Sequence, residues 1–413
     1  MEVVTFGCRL NACESQAIRE RASDEDLAET IVFNTCAVTG EAVRQARQAI
    51  RKARRERPAA RLIATGCAVQ IDPAAFAAME EVDLVLGNAE KRAPGVFTSE
   101  GPRVRVGDIM VPNGALPTPV AGLSGRARAY VEIQNGCDHR CTFCVIPMGR
   151  GNARSVPSEA VVAQVRGLAR AGYAEVVLTG VDLTSWGADL AGTPSLGTLV
   201  GAVLGKVPEL YRLRLSSIDA AEIDAELMAV IGDEARLMPH LHLSLQSGDD
   251  LILKRMKRRH SRDVALKLIG EVRALRPETA FGADFICGFP TESEAAFDNT
   301  LAFVEDADLS FLHVFPFSPR PGTPAARMPQ VPREVIHARA RRLRVAGERA
   351  LARHLEGRVG RSVRALVERP GRARAEDFTE IAFAGAAAPG ALIAGRIASH
   401  DGARAALPNW EFA

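Results

Sequence analysis

Residues 135–151 read N-G-C-D-H-R-C-T-F-C-V-I-P-M-G-R-G and set Cys137, Cys141 and Cys144 in a C-x3-C-x2-C array. Three thiolates this close can hold one metal centre. A [4Fe–4S] cube normally takes four cysteines, one per iron. Three leave one iron open, able to bind a ligand and take part in a reaction. A structural zinc site needs four protein ligands. Here His139 or Asp138 would have to be the fourth, and the paired Cys/His layout of a zinc module is missing. The spacing favours an iron–sulfur centre and leaves zinc as the alternative.

A second group of cysteines is dispersed in sequence but shares one structural address. V-V-T-F (3–6), T-I-V-F-N-T (30–35) and R-L-I-A-T-G (61–66) read as strands, followed by Cys8, Cys36 and Cys67. V-D-L-V-L-G (82–87) reads as a fourth strand, and helices are expected over 11–22 and 38–57. Strands alternating with helices indicate a parallel sheet, and open α/β sheets bind ligands beyond the carboxyl ends of their strands. Adjacent strands lie about 4.8 Å apart, so the three thiols could converge on one cluster. The alternative is three unrelated core cysteines. Cys13 falls inside the first helix and reads as a packing residue.

These elements divide the chain into three expected domains, 1–110, 123–355 and 357–413, with 111–122 as a Pro/Gly linker. Within 128–320, strands are expected at 127–133, 175–180, 212–217, 240–247, 280–289 and 310–317, with helices near 158–171, 221–231, 262–275 and 292–305. That is a partial (β/α)6 barrel, whose active site is built from the loops after the strands. The C-x3-C-x2-C loop follows the first strand. Gly180 and Asp182, Ser216, Ser217 and Asp219, and Ser244, Gln246 and Ser247 follow others, as candidate cofactor and substrate contacts or as turn residues. A cationic helix over 332–355 precedes short β-like runs at 361–368, 378–383 and 391–397, which suggest a small β-barrel of a kind that often binds nucleic acid. Phe378, Phe383 and Trp410 are its candidate stacking aromatics.

The chain of 413 residues has a net charge of +2 and a pI near 8.2. It contains no run of about 18 apolar residues that would suggest a membrane span. The start M-E-V-V-T-F lacks signal-peptide regions, so a cytoplasmic protein with reduced thiols is expected. Charge is concentrated locally. Residues 44–57 carry seven cations and one anion, 254–262 six cations and no anion, and 339–349 five arginines. Such runs are either solvated helix faces or the footprint of a polyanion.

With these motifs in place, the chain resembles the radical S-adenosylmethionine (SAM) methylthiotransferases over nearly its whole length. F-G-C-R-L-N (6–11), N-T-C-A-V-T (34–39) and T-G-C-A-V-Q (65–70) are similar to their N-terminal domain, and G-C-D-H-R-C-T-F-C-V-I-P-M-G-R-G (136–151) to their radical loop. L-S-L-Q-S-G (243–248), D-F-I-C-G-F-P-T-E (284–292) and F-S-P-R-P-G-T-P-A (317–325) resemble their barrel, and the C-terminal segment their TRAM domain. The resemblance implies two [4Fe–4S] clusters. One, on Cys137, Cys141 and Cys144, binds SAM with contacts expected from Phe143, Gly180, Asp182, Ser217 and Gln246; the other, on Cys8, Cys36 and Cys67, supplies sulfur. Where many radical SAM proteins carry G-G-E, this chain has T-G-V-D (179–182). N-T-C-A-V-T, S-S-I-D (216–219) and S-P-R-P-G-T-P-A resemble the branch that methylthiolates N6-threonylcarbamoyladenosine at position 37 of tRNA. The implied partners are a tRNA anticodon stem-loop and a reductant such as flavodoxin or ferredoxin. The alternatives are the branches acting on isopentenylated tRNA adenosine or on a ribosomal-protein aspartate, and, outside enzymes, a zinc-stabilised RNA-binding protein.

Overall fold

A computed structural model describes residues 1–22, 27, 29–111 and 127–413. The expected linker beyond Val111 and the expected domain start at 123 lie outside the described residues. The N-terminal part contains β1 (Glu2–Thr5), α1 (Arg9–Ala22), β2 (Thr30–Thr35), α2 (Gly40–Glu56), β3 (Arg61–Gly66), α3 (Cys67–Ile71), α4 (Pro73–Ala77), β4 (Leu84–Leu86) and β5 (Val104–Arg105). Its five strands form one parallel sheet in sequence order. Apolar residues at alternate positions feed two cores, Phe33, Ile50 and Leu62 on one face, Val3, Ile18 and Ile63 on the other. Thr39 starts α2 by accepting from the Ala42 N–H at 3.1 Å, and Ala46 and Ile50 are its buried stripe.

The central part contains β6 (Ala129–Glu132), a short antiparallel pair β7 (Gln134–Asn135) and β8 (Arg154–Ser155) flanking α5 (Ile146–Arg150), then α6 (Ser158–Arg170), β9 (Glu175–Thr179), α7 (Leu196–Lys206), β10 (Arg212–Leu215), α8 (Ala225–Asp233), β11 (His240–Gln246), α9 (Asp250–Met256), α10 (Arg262–Leu275), β12 (Ala280–Cys287), α11 (Glu294–Asp306), β13 (Phe311–Pro316) and α12 (Arg333–Glu356). Parallel strands run β6-β9-β10 and β11-β12-β13, and single bridges Leu213–Leu237 and Ile218–Leu243 continue β10 into β11. The result is a six-stranded partial barrel with β6 and β13 at its edges. Leu241, Leu243 and Leu245 pack outward against the helices, so period-two alternation turns His240, His242, Ser244 and Gln246 to the lumen. Ser195, Asp224, Asp249, Ser261 and Ser293 each accept the N–H three residues on and start a helix. Two of these helices, α7 and α9, are not among the sequence expectations. The three glycines of α7 hide its period, and α9 runs into the cationic stretch that begins at 254.

The C-terminal strands β14 (Ser362–Arg369), β15 (Arg372–Ala375), β16 (Glu380–Phe383), β17 (Leu392–Arg396), β18 (Ser399–His400), β19 (Ala405–Leu407) and β20 (Trp410–Phe412) form one sheet, ordered β18-β19-β16-β15-β14-β17-β20. It curls as a half-barrel around Leu355, Val367, Ile381 and Ile393 and does not close, because β18 and β20 remain edges among the described residues. Its β15–β16 turn docks under the central barrel. Phe378 stacks on His240 with ring centroids 4.4 Å apart and lies beneath the Arg214 and Arg374 guanidiniums. Phe378 and Phe383 are therefore not free to stack on bases. The first fills the barrel floor, and the second is buried edge-on to Trp410.

Candidate metal centres

The chain leaves β6 into the cysteine loop, which neighbouring elements pin from several sides. The Cys137 N–H donates to Gly151 O at 3.1 Å, Thr142 donates from its backbone to Met256 O and from its hydroxyl to Arg255 O, and Thr142 O accepts from Ala325 N. The three thiols lie within electrostatic reach of one another. Burial, with Asp182 beside it, raises Cys137, and burial pushes Cys144 up to about 11. These two bare thiols are thus protonated at neutral pH, and a bound metal must displace those protons. Donors face the sulfurs, as a thiolate-bound cluster requires. Ile146 N–H lies 3.4 Å from Cys144 Sγ, and Arg258 Nη1 lies 3.7 Å from Cys141 Sγ. Arg258 Nε is buried with no partner among the described residues, and an anionic cluster would supply one.

Of the residues expected to contact SAM, Phe143 lies in the loop and Asp182 beside Cys137, while Gly180, Ser217 and Gln246 stand at the carboxyl ends of β9, β10 and β11. Asp182 accepts from Ser185 Oγ at 2.7 Å, contacts His139 Nε2 at 2.7 Å and lies 3.7 Å from Cys137 Sγ. Its backbone N–H is fixed by Gln134 Oε1, as is that of Val181. Gly180 packs so closely on the Gln134 carbonyl that a Cβ would sit 3.0 Å from the oxygen. Gln246, at the carboxyl end of β11, has φ 71°, a left-handed conformation costly for a non-glycine residue and concentrated at functional sites. Ser217 is half-buried after β10, and Phe143 packs edge-on to Phe289. Arg258 connects β11 to the loop by donating to Ser244 O at 2.7 Å.

Cys137, His139 and Asp182 each bring a ligand atom within 4.8 Å of the others, so a mixed donor set stands beside the thiols as well. His139 is held up at about 9 by Asp182 and Glu222, and a metal bound there would have to displace its proton as it would those of the thiols.

Cys8, Cys36 and Cys67 also come together. Each thiol lies in the electrostatic field of others in the set. Gly7, at φ 88°, passes so close that a Cβ would stand 2.4 Å from Cys36 Sγ; only glycine fits this approach. Burial pushes Cys36 up to about 11. Polar groups again face the sulfurs, Val38 N–H at 3.5 Å from Cys36 and Asn88 Nδ2 at 3.7 Å from Cys67. Arg320 Nε is buried without a partner among the described residues, and its guanidinium senses Cys36. Cys13 stands apart. It is buried with Tyr130 and Val177, its Sγ 3.7 Å from Tyr130 O.

One helix separates the two thiol sets. α5 begins two residues after Cys144, and its Gly149 lies against Cys67, a Cβ there being 3.2 Å from the cysteine's own. At its end the buried Arg150 donates to Glu14 at 3.0 and 3.1 Å, to Asn11 Oδ1 at 2.6 Å and to Asn135 Oδ1 at 3.1 Å. Glu14 also accepts from Lys91 at 2.8 Å. Burial alone would raise the Glu14 carboxyl, but Arg150, Lys91 and Arg92 outweigh it and hold it well below the usual range. Glu14→Ala leaves buried cations unpaired, so thermal or urea unfolding should register a loss of about 3–5 kcal/mol at neutral pH. Because the folded value is depressed, this contribution is complete above the ordinary glutamate value of about 4.3 and is lost as pH falls through the lower folded value. The gap between wild type and variant should therefore narrow below about pH 4.

Sequence reasoning missed this Arg150–Glu14 pairing; the only signal was a charged residue ending the short apolar run V-I-P-M-G-R. It also placed two cations at the surface that the fold uses internally. Arg258 pairs with Asp219 at 2.7 Å and faces Cys141, and Arg54 ties together Asp83 and the carbonyls of Pro58, Ala60 and Glu81. Lys254 and Lys257 remain exposed in a cleft beside Cys141, with His139, Arg140 and Arg259.

Two family models match, the radical SAM superfamily over residues 131–304 and the uncharacterized protein family UPF0004 over residues 1–87. The threonylcarbamoyladenosine tRNA methylthiotransferase MtaB of Rickettsia prowazekii is 48% identical over 92% of this chain and 90% of its own length. The MtaB of Aquifex aeolicus is 36% identical over 94% and 98%. The tRNA-2-methylthio-N(6)-dimethylallyladenosine synthase of Erythrobacter litoralis is 36% identical over 90% and 86%. Among solved structures, the radical SAM methyltransferase TsrM of Kitasatospora setae superposes with a TM-score of 0.53 at 15% identity, covering 75% of this chain and 65% of its own, a likeness of fold.

Proposed function

This chain belongs to the radical SAM tRNA methylthiotransferases, and on that premise we propose that it converts N6-threonylcarbamoyladenosine at position 37 of tRNA into its 2-methylthio derivative. The observation that carries the mechanism is the pair of thiol triplets, each converging on its own, with the single helix α5 between them. Identity of 48% with the Rickettsia protein, against 36% with the Erythrobacter dimethylallyladenosine enzyme, favours the threonylcarbamoyl branch.

Carbon 2 of adenine bears an unactivated C–H bond that no acid–base pair can break. A [4Fe–4S] cluster with SAM, held by Cys137, Cys141 and Cys144, supplies the carbon-radical chemistry that can, and a second cluster on Cys8, Cys36 and Cys67 would supply the sulfur. The chain's own residues set the geometry. Asp182, its backbone locked by Gln134, would offer its carboxylate to the SAM amino group. Gly180 lets the chain pass close to Gln134, while Ser217 and Gln246 offer a hydroxyl and an amide from the next strand ends. Phe143 provides an apolar wall, and Arg258 offsets the thiolate charge at Cys141. We take the reductant to be a low-potential donor such as flavodoxin or ferredoxin and, with tRNA as the substrate, the compartment to be the cytoplasm.

The tRNA would present a splayed-out anticodon-loop base, the usual target of specific RNA recognition, with Lys254 and Lys257 against its phosphates. A Lys254→Ala/Lys257→Ala variant should flatten the plot of log K against log salt by about 0.7–0.9 for each phosphate no longer neutralised. An unchanged slope would mean that these lysines are merely solvated. The substrate is tested by mass spectrometry of tRNA nucleosides from cells with and without this protein. The 2-methylthio form of threonylcarbamoyladenosine should disappear with the protein; loss of methylthiolated isopentenyladenosine instead would refute the assignment.

A further inference from the structure

The barrel lumen holds a polar cluster that neither thiol set uses. His242 on β11, Asp284 on β12 and His313 on β13 project to its interior. His242 Nε2 and His313 Nδ1 share Asp284 Oδ1 at 2.9 and 3.1 Å, and the two rings lie 4.5 Å apart. The strand leaves room for this: a Cβ on Gly282 would stand 2.5 Å from His242 Nδ1. His242 is nearly closed off, with 10% of its side chain exposed, whereas His313 is 58% exposed on the edge strand. A carboxylate only accepts, so the shared contact puts the His313 proton on Nδ1. In the neutral ring Nε2 is then left as an acceptor, on a side chain more than half exposed.

β6 and β13 are the two edges of the partial barrel, so the gap between them is its lateral opening, and Arg9 of α1 stands on the β6 side of it. Tyr130, on the other edge strand β6, carries the Arg9 guanidinium over its ring at 5.7 Å. Arg9 is exposed, makes no hydrogen bond or ion pair among the described residues, and its field reaches His240, whose ring centroid is 6.3 Å from that of His242. The opening thus presents one uncommitted guanidinium and one oriented imidazole, although the adenine ring itself carries no charge to pair with either. The threonylcarbamoyl group carries a carboxylate and a hydroxyl, the two groups an isopentenyl chain lacks. A carboxylate drawn out of water must be paired, and arginine pairs it in two parallel hydrogen bonds.

We propose that this opening is the specificity pocket for the threonyl group, with Arg9 pairing its carboxylate and His313 Nε2, oriented by Asp284, accepting from its hydroxyl. This rests on the substrate proposed above and assigns the residues that distinguish it from other N6-substituted adenosines.

The test compares methylthiolation, in vitro with the holoenzyme, of anticodon stem-loops bearing threonylcarbamoyladenosine, its neutral methyl ester, the glycyl analogue that lacks the hydroxyl, and isopentenyladenosine. Wild type should prefer the acid to the ester by about 10- to 100-fold in kcat/KM, the range for a hydrogen bond to a charged group. Arg9→Gln should bring the acid-to-ester ratio close to one, mainly through KM, and leave the threonyl-to-glycyl preference in place. His313→Phe should do the reverse. The wild-type comparison needs no variant, so it decides even if a substitution disturbs the fold. Equal turnover of acid and ester by wild type, or an undiminished acid preference in Arg9→Gln, overturns the pocket while the proposed reaction stands. Turnover of the isopentenyl stem-loop alone overturns both.

Discussion

Cys36→Ala is expected to cleave SAM reductively at close to the wild-type rate and to form no methylthiolated nucleoside. The three strands that deliver Cys8, Cys36 and Cys67 lie side by side, and three thiolates are the fewest that can hold the proposed cluster, so losing one should lose the cluster. Iron should fall from about eight to about four atoms per chain. The radical loop is anchored separately, by Gly151, Met256, Arg255 and Ala325, and should remain intact. Paired assays of 5′-deoxyadenosine and of modified nucleoside, with iron content, check the outcome. Normal methylthiolation by this variant would sink the two-cluster mechanism. Cys13→Ala is the control: buried against Tyr130 and Val177, it should keep its iron at a cost of roughly 1 kcal/mol in stability.

Cys141→Ala should reverse the pattern, abolishing 5′-deoxyadenosine formation and with it the product, while about four irons stay on the other triplet. Cys141 is half-exposed, as is Cys144, and it alone of the three lies at both clefts beside the loop, so its removal costs little packing. The Arg258 guanidinium would keep its pairing with Asp219, and the apoprotein should unfold at nearly the wild-type temperature. Persistent 5′-deoxyadenosine production under reduction would show that these three cysteines are not the SAM-binding set.

The contrast between the two variants depends on α5 and the ion network at its end. Gly149 meets Cys67, and Arg150 reaches Asn11 and Glu14 on α1. A buried charge group of this kind fixes the spacing of the two sites, because moving the bodies apart would leave Arg150, at the end of α5, without the Glu14 carboxylate, while Lys91 moves with Glu14.

Features that depend on near neighbours along the chain were legible before any fold was known. The C-x3-C-x2-C spacing, the strand-end positions of Cys8, Cys36 and Cys67, and the six strand–helix repeats follow from covalent proximity and hydrophobic period, and the fold carries them. How the charges are used became visible only in three dimensions. Arg54, Arg258 and Lys254 look alike in a cationic run, since helical spacing is the same whether a side chain meets water or a buried carboxylate. Only packing buries Arg258 against Asp219 and Cys141 and leaves Lys254 in solvent. Phe378 reads as a stacking platform in the sequence, but the docked C-terminal sheet presses it onto His240. The cluster of His242, Asp284 and His313, drawn from three strands, and Arg9 facing it from another domain are likewise products of folding, because desolvation and pairing are set by residues far apart in the chain.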